Sequence, residues 1–492
     1  MLFADALLAL MAALVAGVQA YRLCRVNDRP HLGDAFTYLR VAREIRGQGR
    51  LFPALDFYYT GEREFLTLPP LLMALLAPLC GLPYRVLIQL PLILDLAIAW
   101  LIDLAGTTLL GLTDQQALLA SLIFLLTPIN AITGASLTPR SLGLLGFAAL
   151  LFAYTGYLGD GRYGWLPVMA LAVTFALLAQ RMVTQIIVLL ALPVAAAAAV
   201  LSVSGALWLI PAVAGGFAAA WAFTGGRYRA VIGDHLRRVL LHVRHGQQDR
   251  FTKEFGNPLQ IVKANPWLLL AGAVLLPGHG VSQVWLPSAL FLLGIVLLAV
   301  FWVFGNSVNH LFFGAPAAAL LAAQQLPQTP SALAFGCAVA LLCSWLIVRE
   351  FRVIARRRLS APWLDCMGYI AARGWRGRAL VLPWVSFPPL VYYTNLVMVA
   401  SGHGSKAITY DRMLIKTNMN DGAFMADFIT ANQVEYLLVE TSCMPSGQPE
   451  ALRSRLHVAE SYRFGGVELL RLASSDTRPA GAPWKNRPAV AA

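Results

Sequence analysis

The residues best suited to chemistry are concentrated in a polar segment that follows the first apolar stretch of the chain. Within it, residues 31–38 contain Asp34, and the carboxylates Glu62 and Glu64 come later. A carboxylate within hydrogen-bond reach of a hydroxyl group can take its proton, which turns a poor nucleophile into a good one. We therefore predict that Asp34 acts as a general base or positions a substrate, and that Glu62 and Glu64 shape the same site.

Asp34 and Tyr58 also have interpretations that involve no chemistry. Asp34 precedes a helical pattern over residues 35–45, and aspartate is a favoured N-cap residue. A cap residue is held rigidly, so the two roles are compatible. The rings of Tyr58 and Tyr59 either stack on a substrate or lie in the aromatic belt of a membrane interface. Asp56 is most simply a solvated acid of the loop.

Basic side chains follow long apolar runs at Arg140 and Arg181. Ionisable groups at such positions mark lipid or ion sites, or they extend to the nearer interface. Guanidinium groups bind phosphate with paired hydrogen bonds, so both can stabilise the charge that develops on a phosphate leaving group. His310 is either a further phosphate ligand or a hydrogen-bonded interfacial residue. Asp95 and Asp103 lie inside a predicted span and require a partner or a cavity, and an arginine could pair with either of them.

The composition indicates a polytopic helical membrane protein. Of the 492 residues, 58% are hydrophobic and only 13% are charged, whereas soluble domains average about a quarter charged. Many apolar runs have the length of roughly 20 residues that crosses a bilayer. The predicted spans cover residues 2–20, 86–108, 115–134, 141–158, 164–179, 183–202, 205–224, 266–280, 283–304, 309–326 and 331–348.

The number of spans depends on one ambiguous segment, residues 68–83. It is apolar but short and opens with Pro69-Pro70, and such runs are more often re-entrant or interfacial than spanning. The chain therefore has 11 spans, or 12 if this segment crosses. With a cytoplasmic N-terminus, the positive-inside rule favours 12, because arginines are abundant in the loops after the even-numbered crossings of that arrangement.

After Arg358 the pattern changes to that of a small α/β domain. Residues 379–383, 434–440 and 466–472 are predicted strands, and residues 420–432 form a predicted helix capped by Asn420 or Asp421. The predicted domains are a membrane domain over residues 1–350 and a soluble domain over 359–473, followed by a disordered tail over 474–492. The membrane domain includes a first loop with a re-entrant segment, residues 21–84, and a long loop, residues 225–264.

Several classes of protein are disfavoured by the sequence. The net charge is +13, but there is no sizeable soluble basic domain, so nucleic acid is not an expected partner. No P-loop, GxGxxG, HExxH or GxSxG motif occurs in a credible setting. The six cysteines have no metal-binding spacing, and Cys366 and Cys443 can pair only if their region faces an oxidising compartment.

The order of these features resembles the GT-C superfamily, integral-membrane glycosyltransferases that use polyprenyl-phosphate sugars, including mannosyl- and arabinosyltransferases. The resemblance rests first on the acidic motif over residues 31–38, which is followed by Ala42 and by the Gly-Gln-Gly run at residues 47–49. It also rests on the Pro-rich segment over residues 68–71, the run over residues 126–143, the long loop and the C-terminal α/β domain. It implies an 11-span GT-C-like bundle with its first loop, long loop and C-terminal domain outside the cytoplasmic (inner) membrane. It also makes Asp34 the catalytic carboxylate of the first loop.

The resemblance also implies a lipid-linked donor, a polyprenyl phosphate sugar, and a lipid, glycan or protein acceptor. Many members carry a second acid in the loop that corresponds to residues 135–140, where this chain has no Asp or Glu. No metal ligand is therefore assigned. Arg140, Arg181 and His310 would bind the donor phosphate. The alternatives are a transporter or lipid flippase, and a non-catalytic scaffold that presents the C-terminal domain.

Overall fold

A computed structural model of the chain describes residues 2–27, 34–59, 65–245, 258–273, 283–301, 307–326, 330–356, 358–382, 387–399, 421–441 and 448–473. The chain divides into two compact units. The first, here called the membrane unit, contains residues 1–29, 69–72 and 82–356. The second, here called the loop–sheet unit, contains residues 30–68, 73–81 and 357–492.

Among the described residues, each segment that was predicted to cross the membrane contains helix. The helices of the membrane unit are α1 (Leu2–Tyr21), α4 (Tyr84–Leu87), α5 (Leu90–Thr108), α6 (Asp114–Leu125), α7 (Pro128–Gly134), α8 (Arg140–Asp160), α9 (Trp165–Ala179), α10 (Arg181–Val200), α11 (Leu209–Phe223), α12 (Tyr228–His245), α13 (Pro258–Ala264), α14 (Leu268–Ala273), α15 (Leu286–Phe301), α16 (Leu311–Gln325) and α17 (Pro330–Arg356). A π-helix (Arg22–Val26) follows α1, and short 3₁₀ helices (Ala206–Trp208 and Ser307–His310) precede α11 and α16.

By length and composition, six of the described helices can cross a membrane, or seven if a bent pair counts as one span. Shorter apolar helices of 10–17 residues include α9, α15 and α16. The chain is thus a multi-pass helical membrane protein. The helices occupy the predicted segments, while the total of 11 crossings and the orientation of the loops stay predictions.

The predicted span over residues 115–134 is a helix pair, α6 and α7, bent by 59°. A capping box starts α6: the Thr113 side chain accepts a hydrogen bond from the Gln116 amide, and the Gln116 side chain accepts one from the Thr113 amide. Thr127 then adopts an extended backbone with ψ of 119°. The residue before a proline avoids helical geometry, so Pro128 separates the two helices.

The ambiguous segment over residues 68–83 contains a single short helix, α3 (Leu71–Leu76). Six residues rise about 9 Å in a helix, which is far less than the hydrocarbon thickness of about 30 Å. This helix alone therefore cannot cross the bilayer. That agrees with a re-entrant or interfacial segment, while the choice between 11 and 12 spans stays a prediction.

The loop–sheet unit combines the first loop with the C-terminal region. Its helices are α2 (Ala35–Gln48), α3, α18 (Ala361–Ala372), α19 (Phe387–Tyr393), α20 (Gly422–Ala431) and α21 (Gln448–Arg453). Its strands are β1 (Tyr58–Tyr59), β2 (Arg378–Leu382), β3 (Val397–Val399), β4 (Tyr436–Glu440), β5 (Val458–Phe464) and β6 (Val467–Leu472). They form one sheet in the order β1-β3-β2-β4-β6-β5.

The sheet is mixed. The pairs β1–β3, β3–β2 and β2–β4 are parallel, whereas β4–β6 and β6–β5 are antiparallel. The three strands predicted from the sequence correspond to β2, β4 and β6, and the predicted helix corresponds to α20. Asp421 caps α20, because its carboxylate accepts hydrogen bonds from the amides of Ala423 and Phe424. Leu380, Leu437 and Phe428 are among the buried residues of the core between sheet and helix.

The first loop lies within the same unit as the C-terminal region, whereas the sequence patterns had grouped it with the membrane spans. The cause is β1, whose residue Tyr58 pairs with Met398 and whose residue Tyr59 pairs with Val399 of β3. A two-residue strand has no periodicity that a sequence can display. The pairing is therefore visible only in three dimensions.

Candidate active site

Asp34 immediately precedes α2, at the N-cap position expected from the sequence. Its backbone is helical, with φ of −67° and ψ of −12°, and its side chain makes no capping hydrogen bond. An N-cap residue normally has an extended backbone and a side-chain oxygen bound to the first turn. The half-buried Asp34 carboxylate is therefore not used to cap α2. Gly49 ends this helix with a left-handed backbone, φ 60°, which glycine adopts without strain.

Two other predicted site residues of the first loop lie outside the described residues, Glu62 and Glu64. Tyr58 is described and is 5% exposed. Its ring centroid lies 4.4 Å from that of Phe57 at an angle of 57°. The Tyr58 side chain therefore packs inside the loop–sheet unit and is not presented as an open platform.

In the membrane unit, the three predicted phosphate ligands share one structural property: each stands at a helix N-terminus. Arg140 is the first residue of α8, Arg181 is the first residue of α10, and His310 is the N-cap of α16. The first amides of a helix have no partner within it, and they carry a partial positive charge that favours anions. Arg140 and Arg181 are thus associated with a backbone that itself attracts negative charge, whereas at His310 a 3₁₀ helix leads directly into α16.

The three helix N-termini meet at Gly143, which lies in the first turn of α8. A Cβ atom at this position would lie 2.6 Å from Cβ of Gln180 and 3.7 Å from Cε1 of Phe313. Gln180 caps α10, since its side chain accepts a hydrogen bond from the Met182 amide, and Phe313 belongs to the first turn of α16. Only glycine permits this approach, which places side chains from the starts of α10 and α16 against the start of α8.

Arg181 and His310 each bind a partner that was not foreseen. Nη1 of Arg181 lies 2.7 Å from Oδ2 of Asp234, whose side chain is 1% exposed. Nε2 of His310 lies 3.2 Å from Oε1 of Gln185, one turn beyond Arg181 in α10. Asp234 belongs to α12, so an ion pair joins the start of α10 to the predicted long loop. It holds the Arg181 side chain in one place and offsets part of its charge.

Tyr228 fixes the beginning of α12 against α9. Its hydroxyl donates to the carbonyl of Leu177 in α9 at 3.1 Å, and the ring is 1% exposed. Burial raises the pKa of Tyr228 to about 12, so the hydroxyl stays protonated and remains a donor at neutral pH. Together, Tyr228 and Asp234 dock one face of α12 beside Arg181.

The prediction that an arginine accompanies Asp95 is confirmed. Nη1 of Arg22, at the start of the π-helix after α1, lies 3.6 Å from Oδ2 of Asp95 in α5, and both side chains are almost completely buried. Arg22 also donates to the carbonyl of Gly134, the last residue of α7. A buried charge requires such a partner. The pair thereby ties together α1, α5 and the segment that leads to Arg140.

No group of three or more His, Cys, Asp or Glu side chains that could hold a metal ion occurs within the described ranges. The only predicted cysteine partner with a described position is Cys366, which is a buried free thiol. Burial raises its pKa to about 12. Cys443 lies outside the described residues, so the proposed pairing stays a prediction.

Comparison with known proteins relates the chain to solved structures only. No family model matches the sequence, and no curated protein matches it. Among solved structures, ArnT from Cupriavidus metallidurans bound to undecaprenyl phosphate aligns with a TM-score of 0.61 and 12% identity, covering 95% of this chain and 99% of that one. The apo state of the same protein aligns with a TM-score of 0.60 and 13% identity, covering 93% and 97%.

The Archaeoglobus fulgidus oligosaccharyltransferase tethered with an acceptor peptide aligns with a TM-score of 0.55 and 10% identity. The alignment covers 96% of this chain and 74% of that chain. At such low identities, shared fold is what the alignments establish. ArnT and this oligosaccharyltransferase are both GT-C glycosyltransferases. The chain has the GT-C fold, as its sequence resemblance predicted.

Proposed function

We propose that this protein is a membrane glycosyltransferase that moves a sugar from a polyprenyl phosphate to an acceptor hydroxyl or amide of a lipid, glycan or protein. The acceptor atom attacks the anomeric carbon, the bond from that carbon to the phosphate oxygen breaks, and polyprenyl phosphate leaves. The acceptor proton passes to a carboxylate. Attack opposite the leaving group inverts the configuration at the anomeric carbon.

The convergence of three helix N-termini at Gly143 carries this proposal. A phosphate leaving group gains negative charge in the transition state, and preorganised donors and cations that face this charge lower the barrier. Arg140, Arg181 and His310 stand at these three N-termini. ArnT, a structure with the same fold, was solved with undecaprenyl phosphate, which supports a phosphate of this lipid class as the leaving group.

Asp34 is the proposed base. It stands directly before α2, at the N-cap position, and it is the acid of the first-loop motif over residues 31–38. Glu62 and Glu64 are proposed to shape the acceptor site, whereas the buried Tyr58 only supports the loop from inside. The oligosaccharyltransferase of the same fold was solved with a tethered acceptor peptide. We infer that the acceptor of the present protein likewise binds to the enzyme, on the outer side of the cytoplasmic membrane.

The test measures the leaving group, because polyprenyl phosphate is released whichever sugar is transferred. The purified protein in proteoliposomes is given a panel of polyprenyl-phosphate hexoses and pentoses together with a membrane extract as acceptor source, with and without EDTA. Released polyprenyl phosphate is quantified by mass spectrometry. Asp34→Asn is expected to abolish release, because an amide cannot take a proton, and Arg140→Gln is expected to reduce it at least about tenfold.

Two variants serve as matched controls. Asp56→Asn removes an exposed acid of the same loop, and Arg162→Gln removes an arginine whose side chain is 83% exposed at the other end of α8. Both are expected to retain release. Full release by Asp34→Asn would refute its role, and movement of the donor lipid across the bilayer without any release would favour a transporter.

Orientation is tested on intact cells. Single cysteines replace Asp56 of the first loop and Glu450 of α21, both exposed, in a background without native cysteines. A membrane-impermeant thiol reagent should label both positions if the loop–sheet unit faces outward. Labelling of neither before permeabilisation would place this unit in the cytoplasm and remove the proposed outer-face chemistry.

A further inference from the structure

The helix that follows Asp34 is held by an aromatic clamp from the C-terminal region. In α2, the guanidinium of Arg43 lies over the ring of Tyr392 in α19, with 3.8 Å from Cζ to the ring centroid. Nη1 of Arg43 also donates a hydrogen bond to the Tyr392 carbonyl at 3.0 Å. One side chain thus binds both the ring and the backbone of the same residue, which fixes its direction as well as its distance.

A second contact lies in the first turn of α2, two residues after Asp34. Phe36 is fully buried. Its ring centroid is 5.5 Å from that of Tyr392 and 5.6 Å from that of Tyr393, at angles of 48° and 51°. Tilted rings at such distances are favourable aromatic pairs. The beginning of α2 and its third turn are therefore attached to the same short helix.

The other end of the first loop is attached to the sheet. The Met398 amide donates to the Phe57 carbonyl at 2.9 Å, next to the pairing of β1 with β3. The guanidinium of Arg378 lies 3.8 Å from the ring centroid of Tyr59. The loop is thus bound to the C-terminal region on both sides of the stretch that begins at Asp34.

We propose that the C-terminal region positions the Asp34 carboxylate, and that Arg43 and Phe36 are positioning residues of the transfer reaction. This inference rests on the proposed function. Asp34 directly precedes α2, so the place of its carboxylate depends on where the first turn of this helix is held. The C-terminal region is then a part of the catalytic apparatus, although it contributes no reacting group in this proposal.

The test separates positioning from binding by steady-state kinetics. Arg43→Met removes the charge and the donor but keeps a long apolar side chain. Displacement of a catalytic group by about 1 Å can cost up to a hundredfold in rate, so we expect kcat for polyprenyl phosphate release to fall at least about tenfold. The KM for the donor should stay unchanged, since the proposed phosphate ligands belong to the membrane unit.

Conservative and matched variants complete the test. Arg43→Lys, which keeps a cation over the ring, should restore most of the lost kcat. Arg46→Met removes an exposed arginine of the same helix and should leave kcat unchanged. Tyr392→Leu should repeat the loss of Arg43→Met, whereas Tyr392→Phe, which keeps the ring and the carbonyl, should not. The folded fraction of each variant is followed by size-exclusion chromatography and thermal unfolding.

Three results would overturn the inference. The first is a normal kcat in both Arg43→Met and Tyr392→Leu, and the second is an equal loss in Arg46→Met. The third is a loss of folded protein that accounts for the whole loss of activity, because the contacts would then be purely structural. Asp34→Asn is assayed beside them: if that variant is active, the proposed function fails, whereas an inactive Asp34→Asn beside an active Arg43→Met refutes only the positioning role.

Discussion

In the membrane unit, the buried guanidinium of Arg22 lies 3.6 Å from the Asp95 carboxylate, whereas in the loop–sheet unit that of Arg43 lies over the Tyr392 ring. Arg181 and Asp234 repeat the first arrangement, and Arg378 over Tyr59 repeats the second. In both pairs the carboxylate is almost completely buried, so it needs a formal countercharge. Where the guanidinium keeps contact with water, an aromatic ring is a sufficient partner, and the contact mainly fixes the direction of the side chain.

The largest expected effect comes from breaking the buried membrane pair. Asp95→Leu would leave the Arg22 charge without its partner, at a cost of about 3 kcal/mol or more. We expect little folded protein in detergent, measured by size-exclusion chromatography. Arg22→Met combined with Asp95→Leu should recover the fold, because replacing both charges by apolar groups is often neutral.

Asp103→Leu provides the matched control for this prediction, since it removes a half-buried acid of the same helix α5. It should fold normally. If Asp95→Leu is as stable as Asp103→Leu, then the countercharge of Arg22 is not needed, and the contrast between the two units disappears.

A smaller effect is expected from a ring-bound arginine of the loop–sheet unit. The guanidinium of Arg373 lies 4.4 Å from the ring centroid of Tyr369 and 5.7 Å from that of Tyr462. Arg373→Met should reduce the free energy of unfolding by about 0.5 kcal/mol, the size of an exposed cation–π contact. Thermal unfolding measures this, with Arg376→Met as a control at an exposed arginine three residues on. A loss as large as that of Asp95→Leu would contradict the comparison.

The smallest effect concerns an exposed ion pair and is visible only through pH. The Tyr462 hydroxyl, which donates to Glu460, and the nearby Arg471 guanidinium lower the pKa of Glu460 from its ordinary 4.5. A carboxylate with a lowered pKa stabilises the fold above the pKa of the unfolded chain, and this contribution is lost as the pH falls through the folded-state value. Below pH 4.5 the melting temperature of the wild type should therefore fall slightly more steeply than that of Glu460→Gln. Parallel curves would show that Glu460 contributes nothing.

The membrane helices, α2, α20 and three of the six described strands were predictable because their signals are local. Apolar runs mark the membrane helices, and β4 has the continuous buried pattern of an interior strand. The Asp421 cap was also predictable from the sequence, since it depends only on neighbouring amides. The partner of Asp95 was predictable in type, because a buried acid demands a cation, but nothing along the chain distinguished Arg22 from the other arginines.

The contacts that give the candidate site its geometry were not predictable, because they join distant parts of the chain. Asp234 was one acid in a basic loop, and only the structure pairs it with Arg181. Arg140, Arg181 and His310 were selected for their charge at the ends of apolar runs. Their common place at three converging helix N-termini depends on the packing at Gly143, which no local pattern encodes.

The partners of the aromatic clamp, Arg43 and Tyr392, are 349 residues apart in sequence, and this separation dictates an order of assembly. During synthesis, α2 emerges early, yet the helix that holds it, α19, is made only after α17 has been completed. Every membrane helix between them must be inserted into the bilayer before Arg43 can contact Tyr392. The Asp34 segment therefore lacks its contacts with α19 for most of translation. A ribosome that stops before residue 387 leaves a membrane bundle whose first loop has not formed these contacts.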